Sequence, residues 1–274
     1  MAAMASAGSP RVHPTAVISP EAELADGVEV GPFVVIEGAV RVGPGCVLRP
    51  YAHLVGPLTM GRGNVVFSGA VLGERPQQLT YNNEPTRLEI GDYNVFREHV
   101  TIHRGTAHSG VTRIGSHNFF MAGCHIAHDC QVGNHCILAN SALVAGHCVL
   151  EDNVYLSGNT SVHQFVRIGR LALLSGNSAT SKDIPPFIIQ QGLDAVGGVN
   201  VIGMRRAGLT KPQIEAVRRA FHLLFRSGLI LSRALERVEK ELGAVDVVQE
   251  LVAFIRRSSR GINTMRHRGR GEAA

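Results

Sequence analysis

Residues 114–174 read IGSHNFFMAGCHIAHDCQVGNHCILANSALVAGHCVLEDNVYLSGNTSVHQFVRIGRLALL. Every sixth residue of this stretch is large and apolar: Ile114, Phe120, Ile126, Val132, Leu138, Val144, Leu150, Leu156, Val162, Ile168 and Leu174. Followed outward, the same phase runs back to Val12 and fails only at Gln78, Glu84 and His108. A period of six matches neither an α-helix nor a simple strand. It is the signature of hexapeptide repeats, in which each hexad forms one face of a three-sided parallel β-coil. The fold class is therefore mainly β, a parallel β-helix followed by a C-terminal α-helical domain. Known hexapeptide helices of this kind are left-handed, and that hand is expected here, although the spacing alone does not prove it.

The phase assigns directions. With the large apolar residue at position 0, position 4 is small or aliphatic (Ala16, Val28, Val40, Ala52) and shares its face, the core. Position 5 lies between them and points out. Position 1 is often glycine (Gly31, Gly43, Gly61, Gly91, Gly115, Gly133, Gly169), which suits a corner of positive φ. Three hexads close a coil of about 18 residues, and coils stack about 4.8 Å apart.

All five cysteines (Cys46, Cys124, Cys130, Cys136, Cys148) fall at position 4. They are expected as buried thiols acting as small hydrophobes, not as disulfides or metal ligands, which fits a reducing cytoplasm. No apolar run reaches 18 residues, so no membrane span is expected. The start, MAAMASAGSPRVHP, lacks a basic n-region and an apolar h-region, so no secretory signal is expected. No P-loop, dinucleotide glycine motif or exposed cysteine nucleophile occurs, and no cofactor is expected.

The net charge of +5 is uneven: residues 203–274 hold 15 Lys and Arg against 7 Asp and Glu, which is +8 and leaves about −3 for the first 202. A basic end suits nucleic acid, an acidic membrane surface or an acidic protein. The few aromatics do not interleave with the basic residues, which argues against a nucleic-acid platform.

Two polar interruptions, 73–89 and 103–113, keep the phase and are expected to loop out of the coil. The repeat ends near Ser181–Asp183, dividing the chain into a β-helix domain at 1–183 and a helical domain at 184–274. Thr210 is placed to cap a helix, with Pro212 in its first turn and Ile214, Val217, Phe221, Leu224 and Phe225 as its apolar stripe. Two more helices are expected over 230–242 and 245–258. This segment would at least cap the last coil.

Chemistry gathers on one edge. His128 sits at position 2, facing out, and one coil later stand Gly146 and His147; a further coil brings His163 and Gln164. His125, at position 5, also faces out. Neutral imidazole is a general base near pH 7 when a carboxylate orients it, and Asp129 adjoins His128. Imidazoles can also hold zinc, as in hexapeptide enzymes of the γ-carbonic anhydrase type, given about three converging ligands.

The run His125-Ile126-Ala127-His128-Asp129-Cys130 resembles the bacterial UDP-N-acetylglucosamine O-acyltransferase family. So do Ala145-Gly146-His147, Val162-His163-Gln164-Phe165, Asp183-Ile184-Pro185-Pro186 and Ser259-Arg260-Gly261, together with Pro76-Gln77, Glu84–Gly91 and Thr101–Thr106. The likeness covers nearly the whole chain in order. It implies a cytoplasmic homotrimer with active sites between subunits. It also implies transfer of an (R)-3-hydroxyacyl chain from acyl carrier protein to the 3-position of a UDP-sugar, the first step toward lipid A. By matching position, His128 would be the base, Asp129 its support, and the Gly146 N–H would face the oxyanion. His125, His147, His163 and Gln164 would line the substrates, with Gln77 reaching a neighbouring subunit. Gly176 would leave room for a long acyl chain. Asn200 and Arg206 would bind substrate, Arg206 at the nucleotide phosphate, and the basic helices would receive the carrier protein. No metal is implied.

Four positions depart from the family pattern. Gln78 and Thr80 stand where Asp and Lys are usual, Ile202 where Glu is common, and Ala207 where a second Arg is usual. Each change removes charge from the expected sugar-nucleotide site. An altered acceptor, such as a 3-amino UDP-sugar, would reconcile this with the intact histidines. The competing readings are a zinc-dependent hexapeptide enzyme and a non-catalytic binding relative.

Overall fold

The computed structural model describes residues 8–265. Arg266, Arg268 and Arg270, counted above in the basic end, lie outside the described residues. Short parallel strands stack into three sheets. The first, of eleven strands, starts at Arg11–Val12; the second, of nine, at Val17–Ile18; the third, of eight, at Glu23–Leu24. Consecutive strands fall on different sheets, and pairing joins residues one coil apart, as in Phe119 with Ile137 and His125 with Leu143. The result is a parallel β-solenoid with a small helical region at its end.

Position 0 and position 4 form the interior as expected. Leu48, Leu72, Phe96, Phe120, Ile126 and Leu138 are at most 1 % exposed, and Phe96 stacks on Phe120 with ring centroids 5.1 Å apart. All five cysteines are buried and unpaired. Position 4 also carries an amide ladder at the corner between the third and first sheets. Asn64 Oδ1 accepts from Asn94 N–H (2.8 Å), Asn94 Oδ1 from Asn118 N–H (2.9 Å), and Asn118 Oδ1 from Cys136 N–H (2.7 Å). Each amide nitrogen donates to a glycine carbonyl, so these buried polar groups are satisfied.

The corner glycines do a different job from the one expected. Positive φ occurs at position 3, occupied by Gly45 and Gly63 but also by His117 (60°), Asp129 (61°), His147 (63°) and Phe165 (64°). None of the seven position-1 glycines named above shows it; Gly73, also at position 1 but at the start of the first interruption, does (91°). The seven are small because the neighbouring coil is close: a Cβ on Gly115 would lie 2.4 Å from the Gly133 carbonyl oxygen. That obstacle is backbone and cannot turn aside. Gly115→Ala should therefore destabilise the fold by about 2–4 kcal/mol. Thermal unfolding checks this, and an unchanged midpoint would mean that the coil has slack there.

The interruptions are shorter than their polar text. Strands Val71–Glu74 and Arg87–Ile90 flank the first, leaving residues 75–86; Thr101–His103 and Val111–Ile114 flank the second, leaving 104–110. Both leave the corner between the second and third sheets. Beyond residue 183 the first sheet gains Ile188–Gln191 and an antiparallel partner, Ala195–Val199. Four helices follow: α1 (Val201–Arg206), α2 (Lys211–Phe225), α3 (Leu231–Leu242) and α4 (Asp246–Arg256). Helix α2 starts as the sequence implies, with Thr210 and Gln213 forming a reciprocal capping box. Helix α1, six residues containing a glycine, is too short to show periodicity and was not expected.

Candidate active site at one corner of the coil

Asp129 turns the corner after the strand His125–Ile126 with φ of 61°. This left-handed turn lets adjacent side chains converge, and His128 Nδ1 lies 2.7 Å from Asp129 Oδ2. The His128 side chain is 13 % exposed and that of Asp129 only 1 %. Burial opposes the charge on Asp129. Hydrogen bonds from His128, Ser109 and Thr106 outweigh it together and hold the carboxyl below the usual range. An ionised carboxylate can only accept. Nδ1 of His128 therefore carries the proton and Nε2 the lone pair, the tautomer of a general base. Nε2 has no hydrogen-bond partner among the described residues.

Gly146, one coil on, presses against this ring; a Cβ there would sit 2.6 Å from His128 Cε1. The imidazole of His147 meets that of His128 edge-on at 5.0 Å, and its Nδ1 lies 3.8 Å from Asp129 Oδ2. Burial first, with the His128 charge in support, keeps His147 and His125 below the ordinary imidazole value. His125 is tied by Nδ1 to Thr101 Oγ1 at 2.8 Å.

The expected column differs at its next step. Phe165, not His163, stacks on His147, at 4.3 Å and 3° between planes. Asp129, His147 and Phe165 share position 3 and hence one direction, whereas His163 is at position 1. The His163 ring lies instead 3.4 Å from Arg260 Nη2, and both His163 and Gln164 are exposed. Gln77 is exposed on the 75–86 loop, and Gly176 is exposed with its nearest Cβ neighbour at 3.7 Å. Asn200 and Arg206 lie on another edge altogether. They line a groove of about 750 Å³ with His135, Tyr155, Leu173 and Ile202, against the first sheet. The Asn200 amide is already engaged there, capping α1 at Gly203 N–H (2.9 Å) and donating to Leu171 O (2.8 Å). Arg206 is exposed.

Three residues near the dyad escaped the sequence reading. His108 meets the His147 ring edge-on at 4.7 Å, while Thr106 and Ser109 hold Asp129. All three lie in the 104–110 interruption, where no period assigns a direction. His103 is a fourth: it is buried, its Nδ1 has no partner among the described residues, and burial lowers its pKa to about 4. As pH falls below 6.5, the unfolded chain takes up that proton before the folded one does. His103 thus costs no stability above 6.5 and up to about 3 kcal/mol by pH 4. Urea midpoints should show His103→Gln losing less stability than the native chain between pH 7 and 4.5. Equal losses would assign the acid sensitivity elsewhere.

A donor set of His128, Asp129 and His147 lies within 4.8 Å. Two ligands on a tetrahedral zinc stand about 3.4 Å apart, given bonds of about 2.1 Å. The 2.7 Å between His128 and Asp129 is a hydrogen bond, so this arrangement is a proton-sharing dyad and does not fit zinc without opening.

Residues 183–263 match the family model described as "Udp N-acetylglucosamine O-acyltransferase; Domain 2", and residues 112–146 match "Bacterial transferase hexapeptide (six repeats)". A protein of Halorhodospira halophila (strain DSM 244 / SL1), named acyl-(acyl-carrier-protein)--UDP-N-acetylglucosamine O-acyltransferase, is 46 % identical over 92 % of this chain and 98 % of its own. The chain belongs to that acyltransferase family. A second member, from Anaeromyxobacter sp. (strain Fw109-5), is 48 % identical over the same shares, 92 % and 98 %. The crystal structure of a UDP-N-acetylglucosamine acyltransferase from Bacteroides fragilis 9343 superposes with a TM-score of 0.89, at 42 % identity, covering 92 % of this chain and 99 % of that one.

Proposed function

We propose that this chain transfers an (R)-3-hydroxyacyl group from acyl carrier protein to the 3-hydroxyl of UDP-N-acetylglucosamine, the first step toward lipid A. The observation that carries the mechanism is the buried Asp129 carboxylate, which leaves the lone pair of His128 on Nε2. Nε2 takes the sugar hydroxyl proton as the oxygen attacks the thioester carbonyl. The N–H of Gly146, which donates to no acceptor among the described residues, faces the developing oxyanion. Collapse expels the carrier thiolate, which takes from the imidazolium the proton that came from the sugar hydroxyl. No step calls for a cofactor.

His128 occupies the corner between the second and third sheets, whereas Arg206 lines a groove against the first. One chain does not bring them together; a second copy laid against that corner would. This favours a homotrimer with sites between subunits, in which His163, Gln164 and Gly176 extend the donor channel and Gln77 reaches across. Five unpaired thiols suit a cytoplasmic enzyme. Among the described residues no helix is long and apolar enough to cross a membrane. Helix α2, with Lys211, Arg218 and Arg219 exposed against Glu215 as its one carboxylate, suits the acidic carrier protein.

A 3-amino UDP-sugar is a second acceptor reading, favoured by the absence of charge at Gln78, Thr80 and Ala207 and by Ile202, 64 % exposed in the Arg206 groove. Mass spectrometry of products from mixed UDP-sugars and 3-hydroxyacyl carrier proteins tests both. An ester product on UDP-N-acetylglucosamine supports the main reading, and faster amide formation supports the second. No acyl product would overturn both.

A further inference from the structure

The 104–110 segment does more than leave the coil. It departs one coil before His128 and folds onto Asp129. Thr106 gives that carboxylate its N–H (3.0 Å, to Oδ1) and its hydroxyl (2.7 Å, to Oδ2). Ser109 adds an N–H (3.3 Å) and a hydroxyl, both to Oδ1. Thr112 Oγ1 accepts the Asp129 backbone N–H at 2.8 Å, from a slot the repeat reserves for small or aliphatic residues. The start of the segment is anchored as well. The buried Arg104 donates to the carbonyls of Gly56 (3.1 Å) and Gly73 (3.2 Å), and from Nε to the Tyr81 hydroxyl (3.2 Å). Four donors on one buried carboxylate exceed what a surface loop needs to stay in place.

We propose that Ser109, together with Thr106, is a positioning residue for the reaction: its hydroxyl shares the Asp129 carboxylate with His128 and so sets how tightly that carboxylate holds the imidazole and its proton. The proposal rests on His128 being the base. Each donor that neutralises part of the carboxylate charge weakens its pull on imidazolium. With all four in place Asp129 is ionised and aimed at the imidazole. The titratable groups facing Asp129 are His128 and His147; His125 adjoins His128, and His108 adjoins His147.

The test is the pH profile of kcat/KM for Ser109→Ala, with Ser109→Thr as the conservative variant that restores the hydroxyl. Ser109→Ala should lower kcat about tenfold with little change in KM, and its acid limb should move to higher pH because the less neutralised carboxylate holds imidazolium longer. Ser109→Thr should recover both. A fall in activity with an unmoved acid limb, or no rescue by threonine, would make Ser109 merely structural and overturn the proposal. Should Ser109→Ala fold poorly, Thr106→Ser against Thr106→Val asks the same question of the other hydroxyl, and an acid limb in the same place for both would overturn it too. Full activity of His128→Ala would instead remove the base assignment, so the two failures are distinguishable.

Discussion

His128→Ala should lower acyl transfer between about 10² and 10⁴-fold, the usual worth of a positioned general base. Its cost to the fold should be modest, because Thr106 and Ser109 still satisfy the buried Asp129 carboxylate once the imidazole is gone. Circular dichroism and the thermal midpoint should stay close to native while kcat falls and KM for the UDP-sugar changes little. His128→Gln should fail as badly, since an amide keeps the approximate shape without a basic lone pair. Near-normal turnover by either variant would refute the assignment.

Gly146→Ala carries the second large effect, about 10²-fold in kcat, on the scale of misplacing a catalytic group by about an ångström. The added Cβ would stand 2.6 Å from His128 Cε1 and 2.9 Å from Nε2, distances no methyl group tolerates. Here the obstruction is a side chain, so the ring turns aside and the backbone stays. This is the opposite of Gly115, where the obstruction is a carbonyl. The two alanine variants should therefore separate: Gly146→Ala loses activity with its stability kept, and Gly115→Ala loses stability. The damage of Gly146→Ala acts through His128, so the double variant with His128→Ala should be no worse than His128→Ala alone. A retained His128–Asp129 contact in a crystal structure of Gly146→Ala, with full activity, would sink the argument.

The two glycines also show where periodicity stops informing. Gly115 and Gly146 both sit at corners, at positions 1 and 2, and nothing in the text distinguishes a glycine facing backbone from one facing a ring. Positive φ was expected at position 1 because glycine gathers there, yet the chain turns left-handed at position 3 in coil after coil, through histidine, asparagine and phenylalanine. Glycine composition reported the closeness of the next coil, not the bend. The same oversight hid the true column above Asp129. Once position 3 is known as the turning residue, Phe165 follows over His147 and His163 does not.

His108, Thr106 and Ser109 were unreadable for a different reason. Their segment interrupts the repeat, and a residue outside the period has no assigned direction until the loop closes on something. Thr112 did carry a faint signal, a hydroxyl in a slot otherwise small or aliphatic. The departures at Gln78, Thr80 and Ile202 were legible as residue types, but nothing in the period says which groups they would face.

The six-residue period determined the three-sided coil, the burial of all five cysteines and the shared edge of His128, Gly146 and His147. It could do so because a stacked coil repeats one environment every 18 residues, and each side chain's direction follows from its phase alone. The tertiary structure decided what that repetition cannot encode. Two contacts break the translational symmetry: the 104–110 segment folding back on Asp129, and the helical end placing Arg206 on a different edge. Such contacts join residues of unrelated phase, so their chemistry exists only where the folded chain brings them within hydrogen-bond distance.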